Sequence, residues 1–159
     1  METGIVQIYY GVGQGKSSAA LGNAIRYAST GKSAYMIQFM KGQLNTDYLT
    51  RLEPEVKIFR FERSQECFDA MTEEQKQEER INIQNGLNFA KKVLVTGECD
   101  LLVLDEILGL VDENMATVED ICNVLKAKSI STQVILTGRN LPDEIRAMAQ
   151  EVLNIQAEE

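Results

Sequence analysis

Apolar positions along the chain switch repeatedly between two periods. Ile5–Tyr10 is a short apolar run, and Lys16 to about Ser29 carries the helical stripe Ala20, Leu21, Ala24, Ile25 and Ala28. Thr30-Gly31-Lys32 turns the chain into a second run, Ala34–Phe39, and Val56–Phe61 reads as a third strand. Thr72 with Gln75 forms a capping box for a long helix whose inward stripe is Ile83, Leu87, Ala90 and Leu94, with Gly97 as its stop. Leu101–Leu104 is apolar throughout, as a strand covered on both faces must be. Thr117 caps another helix with Val118, Ile121, Cys122 and Leu125 inward. Val134–Leu136 is the next strand, Pro142 starts a helix carrying Ile145, Met148 and Ala149, and Val152–Ile155 is a candidate last strand.

This alternation predicts an α/β fold: a mostly parallel sheet with helices on both faces, formed by a single domain spanning residues 1–159. Ligands of such sheets lie beyond the carboxyl ends of the strands. The residues to inspect are therefore Gly11–Ser18, Gln38–Gly42, Asp105-Glu106 and Thr137-Gly138-Arg139.

The segment after the first strand reads Gly11-Val12-Gly13-Gln14-Gly15-Lys16-Ser17-Ser18. Glycines let successive amides turn towards an anion, and a helix N-terminus adds a partial positive charge. Lys16 supplies a full charge, and the Ser17 hydroxyl suits a magnesium ion. A nucleoside triphosphate is the expected ligand. The loop is one residue shorter than G-x-x-x-x-G-K-[ST], because residue 10 is Tyr10. A dinucleotide fingerprint fits worse, since Lys16 stands where its third glycine would be.

Asp105-Glu106 follows the buried strand directly, well placed for Mg²⁺ opposite Ser17. Period-two alternation would send the two carboxylates to opposite faces, one to the metal and one to a structural role. Lys41 can reach phosphate or a polar substrate edge, or stand as a solvated loop lysine. Arg139 is either a site guanidinium or half of a surface ion pair. Arg26, ten residues past Lys16, would need reach to serve phosphate; a helix-surface ion pair is the alternative. Asn45, Asp47 and Tyr48 lie in a polar segment long enough for a lid.

Composition narrows the chemistry. The net charge of −8 disfavours nucleic acid as a partner. Histidine is absent, which removes the commonest general base and transition-metal ligand. Cys67, Cys99 and Cys122 lack metal-site spacing and read as free thiols. No apolar stretch is long enough to cross a bilayer, and Met1-Glu2-Thr3-Gly4 does not read as a leader; a cytoplasmic location is expected.

Together these motifs resemble the ATP:corrinoid adenosyltransferases of the CobA/CobO/BtuR type. Their short loop reads G-N-G-K-G-K-T-T-A-A, against Gly11-Val12-Gly13-Gln14-Gly15-Lys16-Ser17-Ser18-Ala19-Ala20 here. Their V-x-Q-F-x-K-G is similar to Met36–Gly42, their V-V-L-D-E to Leu102–Glu106, their T-G-R to Thr137–Arg139, and a helical arginine falls on Arg26. The resemblance runs from about Ile5 to Ile155. It implies a RecA-like P-loop fold, a homodimer, and ATP, Mg²⁺ and a reduced corrinoid as the reacting partners, with a flavoprotein as a candidate reductant. It implies transfer of the 5′-deoxyadenosyl group to Co(I) with triphosphate leaving. By the same resemblance Lys16 and the loop amides hold phosphate, Ser17 and Glu106 attend Mg²⁺ with Asp105 as the alternative, and Arg26 and Lys41 help bind triphosphate. The family's G-F-T-W segment is replaced here by Arg63-Ser64-Gln65-Glu66-Cys67-Phe68, and the chain has no tryptophan. Another P-loop ATPase or kinase, or an ATP- or corrinoid-binding protein without turnover, are the competing readings.

Overall fold

A computed structural model describes residues 3–39, 47–61 and 70–158. Six strands run in chain order as β1 (Val6–Tyr10), β2 (Ala34–Gln38), β3 (Val56–Arg60), β4 (Leu101–Asp105), β5 (Gln133–Gly138) and β6 (Glu151–Asn154). They form one sheet in the order β3-β2-β4-β5-β1-β6, with every pairing parallel. The helices are α1 (Lys16–Ser29), α2 (Glu73–Thr96), α3 (Gly109–Asp112), α4 (Val118–Lys126) and α5 (Asp143–Arg146); a 3₁₀ helix covers Asp47–Leu52. The 3₁₀ helix and α3 have no counterpart among the sequence-based elements, because neither is long enough to show a period.

Side-chain alternation divides the core between the two faces of the sheet. On one face Ala20 and Ala24 of α1 pack against Tyr9, Met36, Leu101, Val103 and Ile135. On the other, α2, α4 and α5 cover Ile8, Ile37, Leu102, Leu104, Val134 and Leu136 with Ile83, Leu87, Leu94, Ile121, Val124 and Ile145. Every residue of β4 is buried, as its unbroken apolar run requires.

The capping box at Thr72 forms, and the Thr117 cap proves to be one as well. Thr72 accepts from the Gln75 amide and Thr117 from the Asp120 amide, and in each case the third-residue side chain bonds back to the cap. Gly97 takes the left-handed conformation that ends α2, with φ 65°. The helix expected from Pro142 is a single turn ending at Arg146, with Pro142 as its N-cap. Met148 and Ala149 still pack on the core. They do so from the short link into β6, where the Gln150 amide already donates to the Val6 carbonyl (2.9 Å).

Gly86 lets α2 lie close to the sheet. A β-carbon there would stand 2.8 Å from Phe61 Cγ and 2.9 Å from Phe39 Cε1, and Phe39 is fully buried. Gly86→Ala should therefore destabilise the fold by about 1–3 kcal/mol through overpacking, despite alanine's better helix propensity. Urea denaturation would check this; an unchanged midpoint would mean that the two phenylalanines repack freely.

Candidate functional site

The glycine loop connects β1 to α1, and its three glycines serve two different purposes. The Gly11 amide donates to the Gly138 and Arg139 carbonyls (3.2 and 3.1 Å), and the Gly13 amide to the Ile155 carbonyl (2.9 Å). The Ile155 amide donates in turn to the Tyr10 carbonyl (2.7 Å). A β-carbon on Gly11 would lie 2.2 Å from the Ile155 oxygen, and one on Gly13 would lie 2.8 Å from the Gln156 carbonyl carbon. These two glycines thus allow the loop to press against the ends of β5 and β6. Gly15 has open space around it and is required by its φ of 102° at the N-cap of α1. Tyr10 remains in the strand ladder opposite Gly138 and Asn154, which is why the loop is one residue short. The Arg146 guanidinium lies over the Tyr10 ring, 5.2 Å from its centroid.

The start of α1 differs from those of α2 and α4. Both of those begin with a threonine cap and two acids in the first turn. α1 has neither a side-chain cap nor a first-turn acid. The first amides of a helix have no intrahelical acceptor, so this end is left for an anion to satisfy. Lys16 reinforces it. Its side chain is only 8 % exposed and folds back over the loop, with Nζ donating to the Gly13 carbonyl at 2.6 Å. Val12, at 64 % exposure, and the exposed Gln14 and Ser18 form the loop's outer surface.

Asp105 ends β4 with no exposure, on the α1 face of the sheet. Its Oδ1 accepts from Ser17 Oγ at 2.7 Å and from Thr137 Oγ1 at 2.9 Å. The Ser17 hydrogen is donated to Asp105, which orients the hydroxyl at the first turn of α1. Among the described residues no three His, Cys, Asp or Glu side chains come together to hold a metal ion. A hydroxyl and a carboxylate, completed by phosphate oxygens and water, are nonetheless the hard oxygen donors that Mg²⁺ accepts, so the residues fit that ion.

Glu106 departs from the expected strand alternation. β4 stops at Asp105, and Glu106 takes φ 62°, a left-handed conformation that a β-carbon disfavours. Its amide donates to Thr137 Oγ1 at 2.8 Å. The sequence offers Thr137 only as a strand-end position and as part of the T-G-R likeness, without a role. Its neighbours depend on a strand order that the sequence does not display.

Arg139 is exposed just past β5, beside the loop that its carbonyl braces. Arg26 is not brought to the loop. Ten residues of helix separate it from Lys16 by about 15 Å, and its guanidinium donates to Asn23 Oδ1 at 2.7 Å. Lys41 and Asn45, like Cys67 and Phe68, lie outside the described residues. Cys99 and Cys122 are free thiols. Burial, aided by Asp100 and Glu98, pushes the Cys99 thiol up to about 12, so it is an inert core group at the opposite end of β4. Among the described residues no helix is long and apolar enough to cross a membrane.

An all-parallel sheet whose first strand feeds a glycine loop and helix, and whose acid strand lies one strand away, defines a RecA-like P-loop fold. The KaiC-like protein PH0186 from Pyrococcus horikoshii OT3 shares it, with a TM-score of 0.64 and 16 % identity over 99 % of this chain and 74 % of that one. The chain belongs to the ATP:corrinoid adenosyltransferase BtuR/CobO/CobP family, whose profile matches residues 2–159. It is 27 % identical to the corrinoid adenosyltransferase of Escherichia coli (strain K12) over 155 residues, covering 98 % of this chain and 78 % of that protein. It is 28 % identical to the corrinoid adenosyltransferase CobA of Salmonella typhimurium (strain LT2), with the same two coverages of 98 % and 78 %.

The brace on the loop generates a contrast between two glycines. Gly11→Ala meets both a φ of 124° and the Ile155 carbonyl, whereas Gly15→Ala meets only its own backbone preference. Gly11→Ala should weaken ATP binding by roughly tenfold or more and cost about 1–3 kcal/mol of stability. Gly15→Ala should be the more stable of the two. Calorimetric titration with ATP and thermal melts of both variants would check the order.

Proposed function

We propose that the chain is an ATP:corrinoid adenosyltransferase that moves the 5′-deoxyadenosyl group of ATP to the Co(I) centre of a reduced corrinoid. The observation that carries this reading is the uncapped, acid-free start of α1 beneath Lys16, inside a chain matched along residues 2–159 by that family. In the transfer, the cobalt electron pair attacks C5′ of ATP and a cobalt–carbon bond forms. The C5′–oxygen bond breaks, and its electron pair leaves with inorganic triphosphate. The nucleophile is the metal centre of the substrate, so no side-chain base is needed, in keeping with a chain that has no histidine.

The protein's task is to hold the leaving triphosphate and align C5′ with cobalt. Lys16 and the first amides of α1, at Ser17 and Ser18, would take the phosphate charge, with the loop amides beside them. Arg139, whose carbonyl accepts the Gly11 amide, would add a guanidinium. Ser17 with the carboxylates of Asp105 and Glu106 would hold Mg²⁺, which when bound neutralises charge on the triphosphate. Lys41 is assigned to the triphosphate by family likeness. Arg26 is assigned by that likeness too, although its distance from the loop leaves a service to this chain's own loop without geometric support. We extend the reading to a single nucleotide-binding domain acting as a cytoplasmic homodimer, with a flavoprotein as electron donor for the corrinoid.

Anaerobic incubation with chemically reduced cobalamin and Mg-ATP tests the reading. The expected outcome is a light-sensitive alkyl-cobalt spectrum with one triphosphate per turnover, reduced roughly a hundredfold or more by Lys16→Ala. ADP and phosphate as products would identify an ATPase or kinase instead. ATP binding without any cobalt–carbon product would sink the enzymatic reading for cobalamin and point to another corrinoid or to a binding protein.

A further inference from the structure

One buried hydroxyl at the carboxyl ends of the strands has no part in the transfer as described. Thr137 is fully buried near the end of β5, and Oγ1 is its only side-chain polar atom. That oxygen donates to Asp105 Oδ1 at 2.9 Å and accepts the Glu106 amide at 2.8 Å. A single hydroxyl therefore touches both members of the acid pair. Its donor side fixes a carboxylate, and its acceptor side pins the left-handed turn at Glu106, where φ is 62°.

The same Oδ1 receives the Ser17 hydrogen at 2.7 Å. The two hydroxyls thus converge as donors on one carboxylate oxygen, and Asp105 links Thr137 to Ser17. Without the Thr137 hydroxyl, Asp105 Oδ1 loses one of its two hydroxyl donors, and the acceptor that orients the Ser17 hydroxyl is held less firmly. Strand order makes Thr137 the group able to do this. β5 is the neighbour of β4, with Leu104 opposite Leu136, so the next residue on each strand is Asp105 and Thr137.

We propose that Thr137 is a positioning residue for the magnesium–nucleotide complex, acting through Asp105 on the Ser17 hydroxyl and through the Glu106 amide on the second acid. It touches neither nucleotide nor cation itself. The inference rests on the nucleotide-binding half of the proposed function, and for that reason its readout is binding and not turnover.

The test measures ATP affinity by calorimetry at a series of MgCl₂ concentrations and in EDTA. Thr137→Val keeps the shape and removes the hydroxyl. It should lower ATP affinity in saturating Mg²⁺ by roughly tenfold or more, while affinity in EDTA stays within about threefold of wild type. Thr137→Ser restores the hydroxyl and should recover the magnesium dependence. In an Asp105→Asn background, Thr137→Val should cost less than it does in the wild type, because the carboxylate path is weakened and only the Glu106 amide path is intact. Should the valine variant not fold, Thr137→Ala carries the same comparison. Wild-type magnesium dependence in the valine variant overturns the proposal. So does an equal loss with and without Mg²⁺, or an undiminished effect in the Asp105→Asn background. Magnesium-dependent ATP binding by a wild-type protein that makes no alkyl-cobalt product would sink the transferase reading and leave the Thr137 result decisive. A wild-type protein whose ATP affinity ignores Mg²⁺ overturns both.

Discussion

The hydrogen bond from Ser17 to Asp105 closes a gap that the sheet itself leaves open. The loop rises from β1 and the acid ends β4, with β5 between them. Two inter-strand spacings, about 10 Å, separate the two ends. Only α1, leaning from β1 across the sheet with Ala20 and Ala24 against it, brings its first turn to the acid. Small side chains on that face of α1 are thus a condition for the site. A bulkier helix would stand higher and carry Ser17 away from Asp105. Two hydroxyls donate to one oxygen of this buried carboxylate, which offsets part of the cost of burying it.

The loop is held from the other side by backbone alone. Carbonyls of Gly138, Arg139 and Ile155 take the amides of Gly11 and Gly13, so the first half of the loop belongs structurally to β5 and β6. The second half, from Gln14 into α1, is left to face a ligand. This division explains a loop with three alternate glycines. Two are needed because neighbouring backbone comes too close for a β-carbon, and one because the chain must turn left-handed into the helix. Gly138 has a related task, since a β-carbon there would meet Leu108 Cβ at 2.3 Å.

What could be read from the sequence was local. The loop, α1, the Thr72 capping box, the Thr117 cap, the all-apolar β4 and the inward stripe of α2 each announce themselves within a few residues, and each forms as read. Strand boundaries moved by a residue or two, since β5 runs on to Gly138 and β6 begins at Glu151. The elements that escaped depend on partners distant in sequence. Thr137 meets Asp105 across 32 positions, and Gly13 meets Ile155 across the whole length of the fold. Asp105 and Glu106 look equivalent in the sequence. They differ in the structure because the strand ends between them and a left-handed turn begins. Arg26 comes to the site by family likeness alone, while α1 sets it about 15 Å along the helix from Lys16.

The absence of histidine and the uncapped start of α1 bear on the same chemical question. A reaction that needs proton transfer wants a group titrating near neutrality, and this chain offers none of the usual kind. A reaction whose difficulty lies in expelling a highly charged phosphate chain wants preorganised donors instead. Every unusual feature of the loop region is of the second kind: helix amides without a cap, a lysine folded over the loop, and a serine hydroxyl aimed by a buried acid. Such donors are fixed by the fold before a ligand arrives, so little reorganisation is required when charge develops on the leaving oxygen. The close packing of loop against β6 and of Thr137 against Asp105 therefore contributes to chemistry through rigidity, even though neither contact need touch the reacting atoms.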